Sequence, residues 1–66
     1  MEIRVLLEGK ERKVKLPTGS TIKTAINAVD ANEQTVIVKL NGLICHSRAK
    51  LKQGDEVGLI GFIYGG

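Results

Sequence analysis

The chain has 66 residues, enough for one small domain, and a formal net charge of +3 from ten basic and seven acidic residues. With 42% hydrophobic and 26% charged residues, its composition is typical of a folded globular domain and excludes a disordered segment. A single cysteine excludes an internal disulfide and a paired-cysteine zinc motif. No apolar run approaches the ~20 residues of a membrane-spanning helix.

The chain begins with two predicted strands, at residues 2–8 and 12–16, joined by a turn at residues 9–11. Apolar and polar residues alternate in both segments, so each strand has one apolar face. Two such strands joined by a short glycine-containing loop indicate an antiparallel hairpin. The second strand exposes Lys13 and Lys15, and charges of this kind protect the edge of a sheet from pairing with another chain.

A helix is predicted after Pro17. Ser20 or Thr21 can cap it, because a hydroxyl oxygen accepts hydrogen bonds from the free N–H groups of a first turn. We expect the helix to end between Asp30 and Asn32, where the apolar periodicity stops. Its apolar stripe has the i, i+3, i+4, i+7 spacing of a core-facing surface, and it consists of Ile22, Ala25, Ile26 and Val29.

Three more strands are predicted after the helix, at residues 35–40, 43–46 and 56–63. Asn41-Gly42 joins the first two, since both residues tolerate positive φ. Gly54-Asp55 turns the chain into the last strand, and Leu51 is an apolar anchor in the irregular segment before that turn.

The resulting order is β-β-α-β-β-β. The first and last strands are the most continuously apolar, which favours two central strands covered on one face by the helix. The sequence therefore predicts an α+β fold, a mixed sheet of about five strands with one helix packed on one face. We expect this domain to span residues 1–63, with residues 64–66 as a flexible tail.

The sequence does not favour an enzyme. Cys45 and His46 are neighbours on a predicted strand, so their side chains point to opposite faces, and the same geometry separates Asp55 from Glu56. We find no phosphate-binding loop, metal cluster or nucleophile–base set in the sequence, and we predict that the chain binds no metal or cofactor.

The basic residues are dispersed, and Phe62 and Tyr64 are the only aromatic residues. Nucleic-acid binders more often combine a dense basic stripe with exposed aromatic side chains, so a nucleic-acid partner is not favoured. The N-terminus runs directly into a strand pattern and gives no sign of a signal peptide. Together with the free thiol, this predicts a cytoplasmic protein without a membrane partner.

The whole chain resembles the ubiquitin-like β-grasp family. The resemblance is carried by the segment 36–42 (VIVKLNG), by Arg48, by the run 51–57 (LKQGDEV) and by the final Gly65-Gly66. It is strongest to the prokaryotic sulfur carriers: the thiamin-biosynthesis sulfur carrier, the small subunit of molybdopterin synthase and the archaeal small modifier proteins. Segment 36–42 and the run 51–57 look most like the thiamin-type branch.

The resemblance implies a carrier function centred on the C-terminus. An E1-like adenylyltransferase would use ATP to adenylate the Gly66 carboxylate. A sulfur donor of the cysteine desulfurase or rhodanese type would then give a thiocarboxylate, which delivers sulfur to a synthase in thiamin, molybdopterin or tRNA-thiolation pathways. ATP would belong to the partner enzyme. Tyr64 and Gly65 would thread into that enzyme, since glycine has no Cβ and passes through a narrow channel.

Partner docking is predicted at Phe62, Leu59 and Leu43, because aromatic and apolar residues are enriched at interfaces. Two alternatives remain open at this point. The activated terminus could be joined to lysines of target proteins, as in a ubiquitin-like modifier. The chain could also be a β-grasp interaction module that contacts RNA or a protein, with Lys13 and Lys15 as the basic contacts.

Overall fold

The computed structural model describes residues 1–61, apart from the side chain of residue 33. A 3₁₀ turn at Glu33–Thr35 joins the helix to the third strand. The predicted order β-β-α-β-β-β is confirmed. The elements are β1 (Glu2–Leu7), β2 (Lys10–Lys15), α1 (Ile22–Ala28), β3 (Val36–Leu40), β4 (Leu43–Ile44) and β5 (Glu56–Gly61).

The five strands form one mixed sheet in the order β2-β1-β5-β3-β4. β1 and β5 are parallel, and the other neighbours are antiparallel. The two most apolar strands are therefore interior, as their composition predicted. The charged β2 and the two-residue β4 form the edges, where charge and short length limit pairing with other chains.

Helix α1 covers one face of the sheet and closes the core. Its predicted apolar stripe is buried, and Leu51 is buried as expected. The strands contribute alternate residues to the same layer, because successive side chains of a strand point to opposite faces. The buried core consists of Ile3, Val5, Leu16, Ile22, Ala25, Ile26, Val29, Val38, Leu51, Val57 and Leu59.

The start of α1 is capped by backbone groups of a distant loop. Ile22 N donates to Ala49 O at 3.0 Å, and Lys23 N donates to Ser47 O at 2.9 Å. The predicted side-chain cap is wrong: Thr21 is the N-cap but makes no side-chain capping bond, and Ser20 Oγ donates to Pro17 O instead. The loop carbonyls already accept from the free first-turn donors, so a hydroxyl is not needed.

Helix α1 ends at Ala28, earlier than predicted. Asp30 has a left-handed backbone conformation, with φ of 58°. Ala31 N donates to Ile26 O at 3.0 Å, and Asp30 N donates to Asn27 O at 3.1 Å. These two bonds form a Schellman motif, which stops a helix by satisfying its last carbonyls. Glycine usually occupies the left-handed position, and its absence here concealed the end of the helix.

The first hairpin turns earlier than predicted. Its two loop residues are Glu8 and Gly9, with φ of 52° and 76°, rather than residues 9–11. A two-residue loop with positive φ at both positions matches the twist of the flanking strands. β1 consequently ends at Leu7, and β2 begins at Lys10.

The remaining boundaries differ at the ends of the predicted strands. β4 covers Leu43–Ile44 rather than residues 43–46, although Cys45 N still donates to Val38 O at 3.1 Å. The last two residues of the predicted final strand lie outside the described residues, as does the predicted boundary between domain and tail. Within residues 1–61, no helix has the length and apolar character required to cross a bilayer.

Candidate functional site

Four of the predicted site residues, Phe62, Tyr64, Gly65 and Gly66, lie outside the described residues. The structure describes β5, the strand that leads towards them, as far as Gly61. β5 is held between two neighbours, parallel to β1 and antiparallel to β3. β1 pairs with β5 as far as Leu59 and β3 as far as Gly61, so the last described residue of β5 is held by β3.

The predicted docking role of Leu59 is wrong, because its side chain is only 3% exposed and belongs to the core. Val57 and Leu59 face α1, so the alternation of the strand directs Gly58 and Ile60 to the opposite face. We call this second side of the sheet the open face. On this face the described part of β5 presents Glu56, Gly58 and Ile60 to a partner.

A group of apolar side chains lies on the open face. Ile60 is 47% exposed, and its cross-strand partner Ile37 is 39% exposed. Ile44 is 73% exposed and lies opposite Lys39 in the register. With the half-buried Leu6 of β1, these residues form the open-face patch: Leu6, Ile37, Ile44 and Ile60. Several exposed apolar residues on one face mark interaction sites more often than single exposed residues do.

Leu43 is 74% exposed, in agreement with the expectation that it is accessible to a partner. It pairs with Leu40 at the β4 edge, so it belongs to the same side of the sheet as α1 and not to the open face. Its docking role stays a prediction. The sequence analysis missed the three isoleucines of the open-face patch. Alternation in β3 and β5 could have located Ile37 and Ile60 once the helix-covered face was known.

A hollow lies beside the patch, with Gly58 at its centre. The register places Leu6, Gly58 and Lys39 in one row across β1, β5 and β3. Because Gly58 has no side chain, the row is open between its two neighbours. The hollow has a cavity volume of about 270 Å³. Its lining includes Leu6, Glu8, Lys39, Glu56, Gly58 and Ile60.

The basic side chains near the hollow differ in whether they form ion pairs. Arg4 lies 3.7 Å from Glu11 and 3.6 Å from Glu56, on the open face of β1. These side chains are substantially exposed, so each pair contributes at most about 1 kcal/mol to stability. Arg4 is the single cation in both ion pairs, so it offsets one of the two carboxylate charges. Within residues 1–61, Lys39 makes no ion pair, and its ammonium charge stays available at the edge of the hollow.

Two turns near the start of β5 are tied together by side chains. Asn41 Nδ2 donates to Asp55 Oδ1 at 3.1 Å, and Asn41 Oδ1 accepts from Glu56 N at 3.0 Å. Asp55 Oδ2 accepts from Lys52 N at 2.7 Å. Asp55 is therefore the turn residue that was predicted, and it also anchors the β3–β4 turn. This link was missed because the two residues are 14 positions apart, and no local pattern connects them.

Cys45 and His46 do not form the reactive pair that adjacent residues of these types could suggest. Cys45 is half-buried against the edge of the core, whereas His46 is exposed. His46 Nδ1 accepts a hydrogen bond from Arg48 N at 3.2 Å, so it serves the local turn. Among the described residues, no three His, Cys, Asp or Glu side chains gather closely enough to hold a metal ion.

Comparison with known proteins gives both a family and a fold. The sequence model of the ThiS family matches residues 2–66. The crystal structure of the thiamine biosynthesis protein ThiS from Geobacter metallireducens aligns with a TM-score of 0.70 and 27% sequence identity, covering 100% of both chains. SAMP1 from Haloferax volcanii aligns with a TM-score of 0.72 over 98% of this chain and 97% of its own, at 17% identity. No curated protein sequence matches significantly.

The mixed five-stranded sheet with one helix on one face defines the class of ubiquitin-like β-grasp proteins. Within this class, the chain belongs to the ThiS family. Proteins of this family are small carriers rather than catalysts, which agrees with the prediction that the chain is not an enzyme. The resemblance inferred from the sequence is confirmed.

Proposed function

We propose that this protein is a sulfur carrier whose Gly66 carboxylate is adenylated by an E1-like enzyme and then converted to a thiocarboxylate. The observation that supports this function is the match to the ThiS family over residues 2–66, which extends through Gly65-Gly66. The 27% identical ThiS structure, aligned over the full length of both chains, supports the thiamin branch of the family.

The proposed chemistry explains why activation is needed. A terminal carboxyl group has a pKa of about 3.5, so at neutral pH it is an anion and a poor electrophile. Attack of a Gly66 carboxylate oxygen on the α-phosphorus of ATP would release pyrophosphate and form an acyl-adenylate. The terminal sulfur of a cysteine persulfide on a desulfurase or rhodanese-type donor would then attack the acyl carbon, and AMP would leave. A second thiol would attack the donor cysteine sulfur of the resulting acyl disulfide, which releases the Gly66 thiocarboxylate and leaves a disulfide between that thiol and the donor cysteine.

The chain's own contribution is to present this terminus. β5 is fixed in the centre of the sheet, while residues 62–66 span at most roughly 17 Å when fully extended. The folded domain would therefore dock close to the entrance of the partner's active site, with Tyr64 and Gly65 threaded into it. The partner enzyme would bind ATP, and a synthase would later accept the sulfur.

Docking is proposed to use the open-face patch together with Phe62. Ile60 is two residues before Phe62, so a partner that holds the C-terminal segment lies next to this face. Leu43 would make a separate contact at the β4 edge, on the side of the sheet that α1 covers. Ile37 and Ile60 are apolar cross-strand neighbours on this face, and the buried centres of protein–protein interfaces are enriched in such side chains.

The test is AMP transfer by the E1-like enzyme of the same organism, followed by intact-mass analysis of the carrier. We expect the wild-type chain to accept AMP and, with a sulfur donor, to gain one oxygen-to-sulfur replacement at Gly66. A chain lacking Gly66 should retain its fold and lose AMP transfer by at least about two orders of magnitude, since the reacting carboxylate is displaced by a full residue.

A matched control is replacement of exposed Lys50 by alanine, which leaves the C-terminus intact. Undiminished AMP transfer to the chain without Gly66 would reject the proposed function. Products joined to target lysines by isopeptide bonds, and stable to boiling and reducing agent, would instead assign the chain to the protein modifiers.

A further inference from the structure

The segment 46–51 presents basic side chains outward from the loop that packs against the start of α1. Arg48 and Lys50 are exposed. The residues that follow each of them point the other way, since Ala49 packs against the core and Leu51 is buried in it. Because apolar side chains at alternate positions hold the segment against the core, the basic side chains beside them project into solvent.

Hydrogen bonds to the start of α1 fix the backbone of this segment. Lys23 N donates to Ser47 O at 2.9 Å, and Leu51 N donates to Ser20 O at 2.9 Å. The first of these bonds also places the exposed Lys23 beside the segment. A fixed backbone needs little ordering when a partner binds. We call the three cations that these contacts bring together the basic surface: Lys23, Arg48 and Lys50.

The basic surface is built from two stretches of the chain that contain no acidic residue, 12–29 and 34–54. Within residues 1–61, Arg48 and Lys50 make no ion pair with side chains of the chain itself. Positive charges held near one another without an opposing carboxylate repel each other. An acidic group from outside the chain would therefore stabilise the basic surface.

The carboxylates that follow the basic surface in the sequence lie elsewhere. Asp30 comes after the end of α1, at the opposite end of the helix from Lys23. Asp55 Oδ2 accepts from Lys52 N at 2.7 Å, and Asp55 Oδ1 accepts from Asn41 Nδ2 at 3.1 Å. The Asp55 carboxylate is thus directed into the turns before and after β5 and its neighbour, and neither acid opposes the basic surface.

The basic surface and the end of β5 at Gly61 lie at opposite ends of α1. Gly61 lines one hollow together with Asp30 and Ala31, which follow the last turn of the helix. The basic surface adjoins the first turn, and a helix of seven residues is about 10 Å long. A partner that holds the C-terminal segment therefore leaves room for a second protein at the basic surface.

We propose that the basic surface binds an acidic segment of a second protein partner, separately from the docking surface of the adenylating enzyme. The contact uses no residue of the C-terminal segment, so it goes beyond the proposed function and does not depend on it. Charge complementarity selects the acidic chemistry. A nucleic acid is disfavoured, because no aromatic residue occurs in the two stretches that build the surface, and proteins that bind single strands stack bases on aromatic side chains beside their cations.

A second copy of this chain is disfavoured as the occupant. A two-fold contact would place the same positive charges opposite each other, because such interfaces use one surface on both subunits. A head-to-tail contact with the carboxylates Glu8 and Asp30, which line the hollow at the other end of α1, would extend into open chains unless its rotation closed a ring. The acidic segment is therefore assigned to a different protein.

The first experiment titrates the isotopically labelled full-length chain with a hexaglutamate peptide and follows the backbone amide shifts by NMR. We expect the largest changes at residues 46–50 and at Lys23. They should shrink as salt is raised from about 0.1 to 1 M, since salt screens exposed charges. Hexaglutamine, which is uncharged, is the control peptide and should cause no such changes. Changes around Lys13 and Lys15 as large as those at the basic surface would overturn the proposal.

The second experiment compares two double variants that have the same net charge. Arg48→Ala with Lys50→Ala should raise the Kd for hexaglutamate about three- to tenfold, the range expected when two exposed ion pairs are lost. Lys13→Ala with Lys15→Ala, on the β2 edge, should raise it by less than about twofold. Equal increases would show that net charge alone determines binding and would reject the basic surface. Thermal unfolding establishes that each variant is folded; if the first pair prevents folding, Arg48→Gln with Lys50→Gln replaces it.

Further titrations test the kind of partner. Tighter binding of hexauridylate than of hexaglutamate at the basic surface would overturn the assignment to a protein. Shift changes there that depend on the concentration of the chain alone would assign the surface to a second copy and overturn it as well. A chain lacking Gly66 should bind hexaglutamate like wild type, so failure of this docking site and failure of AMP transfer are measured separately.

Discussion

Asn41 joins two turns that lie 14 residues apart, through a hydrogen bond from its Nδ2 to Asp55 Oδ1. The same side chain accepts a hydrogen bond from Glu56 N, and its backbone has a φ of 51°. Asparagine suits this position for two reasons: it tolerates the left-handed conformation, and its amide both donates and accepts. The residue thereby fixes where β5 begins.

Replacing Asn41 by alanine should lower the free energy of unfolding by about 1–2 kcal/mol. The variant loses two side-chain hydrogen bonds and places a Cβ-bearing residue without local hydrogen bonding at positive φ. Urea denaturation measures the change. Asn27→Ala, at an exposed helix position, is the control and should be neutral or slightly stabilising because alanine has the higher helix propensity. Equal stability of the Asn41→Ala variant and wild type would show that the link is unimportant.

At the scale of single elements, helix α1 depends on groups that lie outside it. Its first two N–H groups donate to Ala49 O and Ser47 O, and its last turn ends in the Schellman motif around Asp30. A seven-residue helix is too short to be stable alone in water. Packing on the sheet and these end contacts therefore determine both its existence and its length.

The left-handed conformation of Asp30 predicts that glycine at this position stabilises the protein. Asp30→Gly should raise the free energy of unfolding by up to about 1 kcal/mol, since glycine is the preferred residue at this position of a helix terminus. Ala28→Gly, two residues earlier and still helical, should lower it by roughly 0.5–1 kcal/mol. Thermal unfolding of the two variants under one set of conditions provides the comparison. A decrease in Tm for Asp30→Gly would contradict the proposed basis of helix termination.

The edge of the sheet at β2 could be predicted from its exposed lysines. Lys13 and Lys15 mark β2 as exposed in the sequence, and β2 is an edge strand in the structure. The hairpin loop at Glu8-Gly9 was misplaced, because glutamate rarely adopts positive φ and gave no signal. The alternation of apolar and polar residues identified β1 and β2 as strands. The position of the turn between them depended on the twist of the two paired strands.

At the scale of the whole molecule, the two faces of the sheet have different roles. One face stabilises the fold, and the other is the proposed docking surface. One face is sealed by α1 and contains Ile26, which is fully buried. The other presents Ile60, which is 47% exposed. A domain of this size obtains only about 3–5 kcal/mol from its core, so the loss of one large buried side chain is comparable with its entire stability.

Ile26→Ala should therefore impair folding, whereas Ile60→Ala should impair binding of a partner. Ile26→Ala should cost about 2–5 kcal/mol through lost burial and the cavity left behind, and much of the chain should be unfolded at 37 °C. Ile60→Ala should change stability by less than about 1 kcal/mol but weaken binding of the adenylating enzyme. Circular dichroism and a binding titration distinguish the two. Normal binding by a folded Ile60→Ala chain would remove the open face from the proposed docking surface.

The element order, the apolar stripe of α1 and the likeness to ubiquitin-like sulfur carriers could all be predicted from the sequence. These features depend on periodicity, turn residues and short motifs such as Asn41-Gly42 and Gly54-Asp55, all of which are local along the chain. The apolar faces of β1 and β2 followed from the alternation of apolar and polar residues. Such patterns survive because a small core without a disulfide needs every strand and the helix to present its apolar side inward.

The side of β5 that a partner can reach is known only from the packing of the folded chain. Alternation pairs Leu59 with Val57 and Gly58 with Ile60, but it does not state which pair the helix covers. That choice is made by the packing of α1, which buries Leu59 and leaves Gly58 bare. The contacts between Asn41 and Asp55, and between α1 and the loop before Leu51, were likewise decided by folding. They join residues far apart in the chain, and no local sequence pattern specifies such pairings.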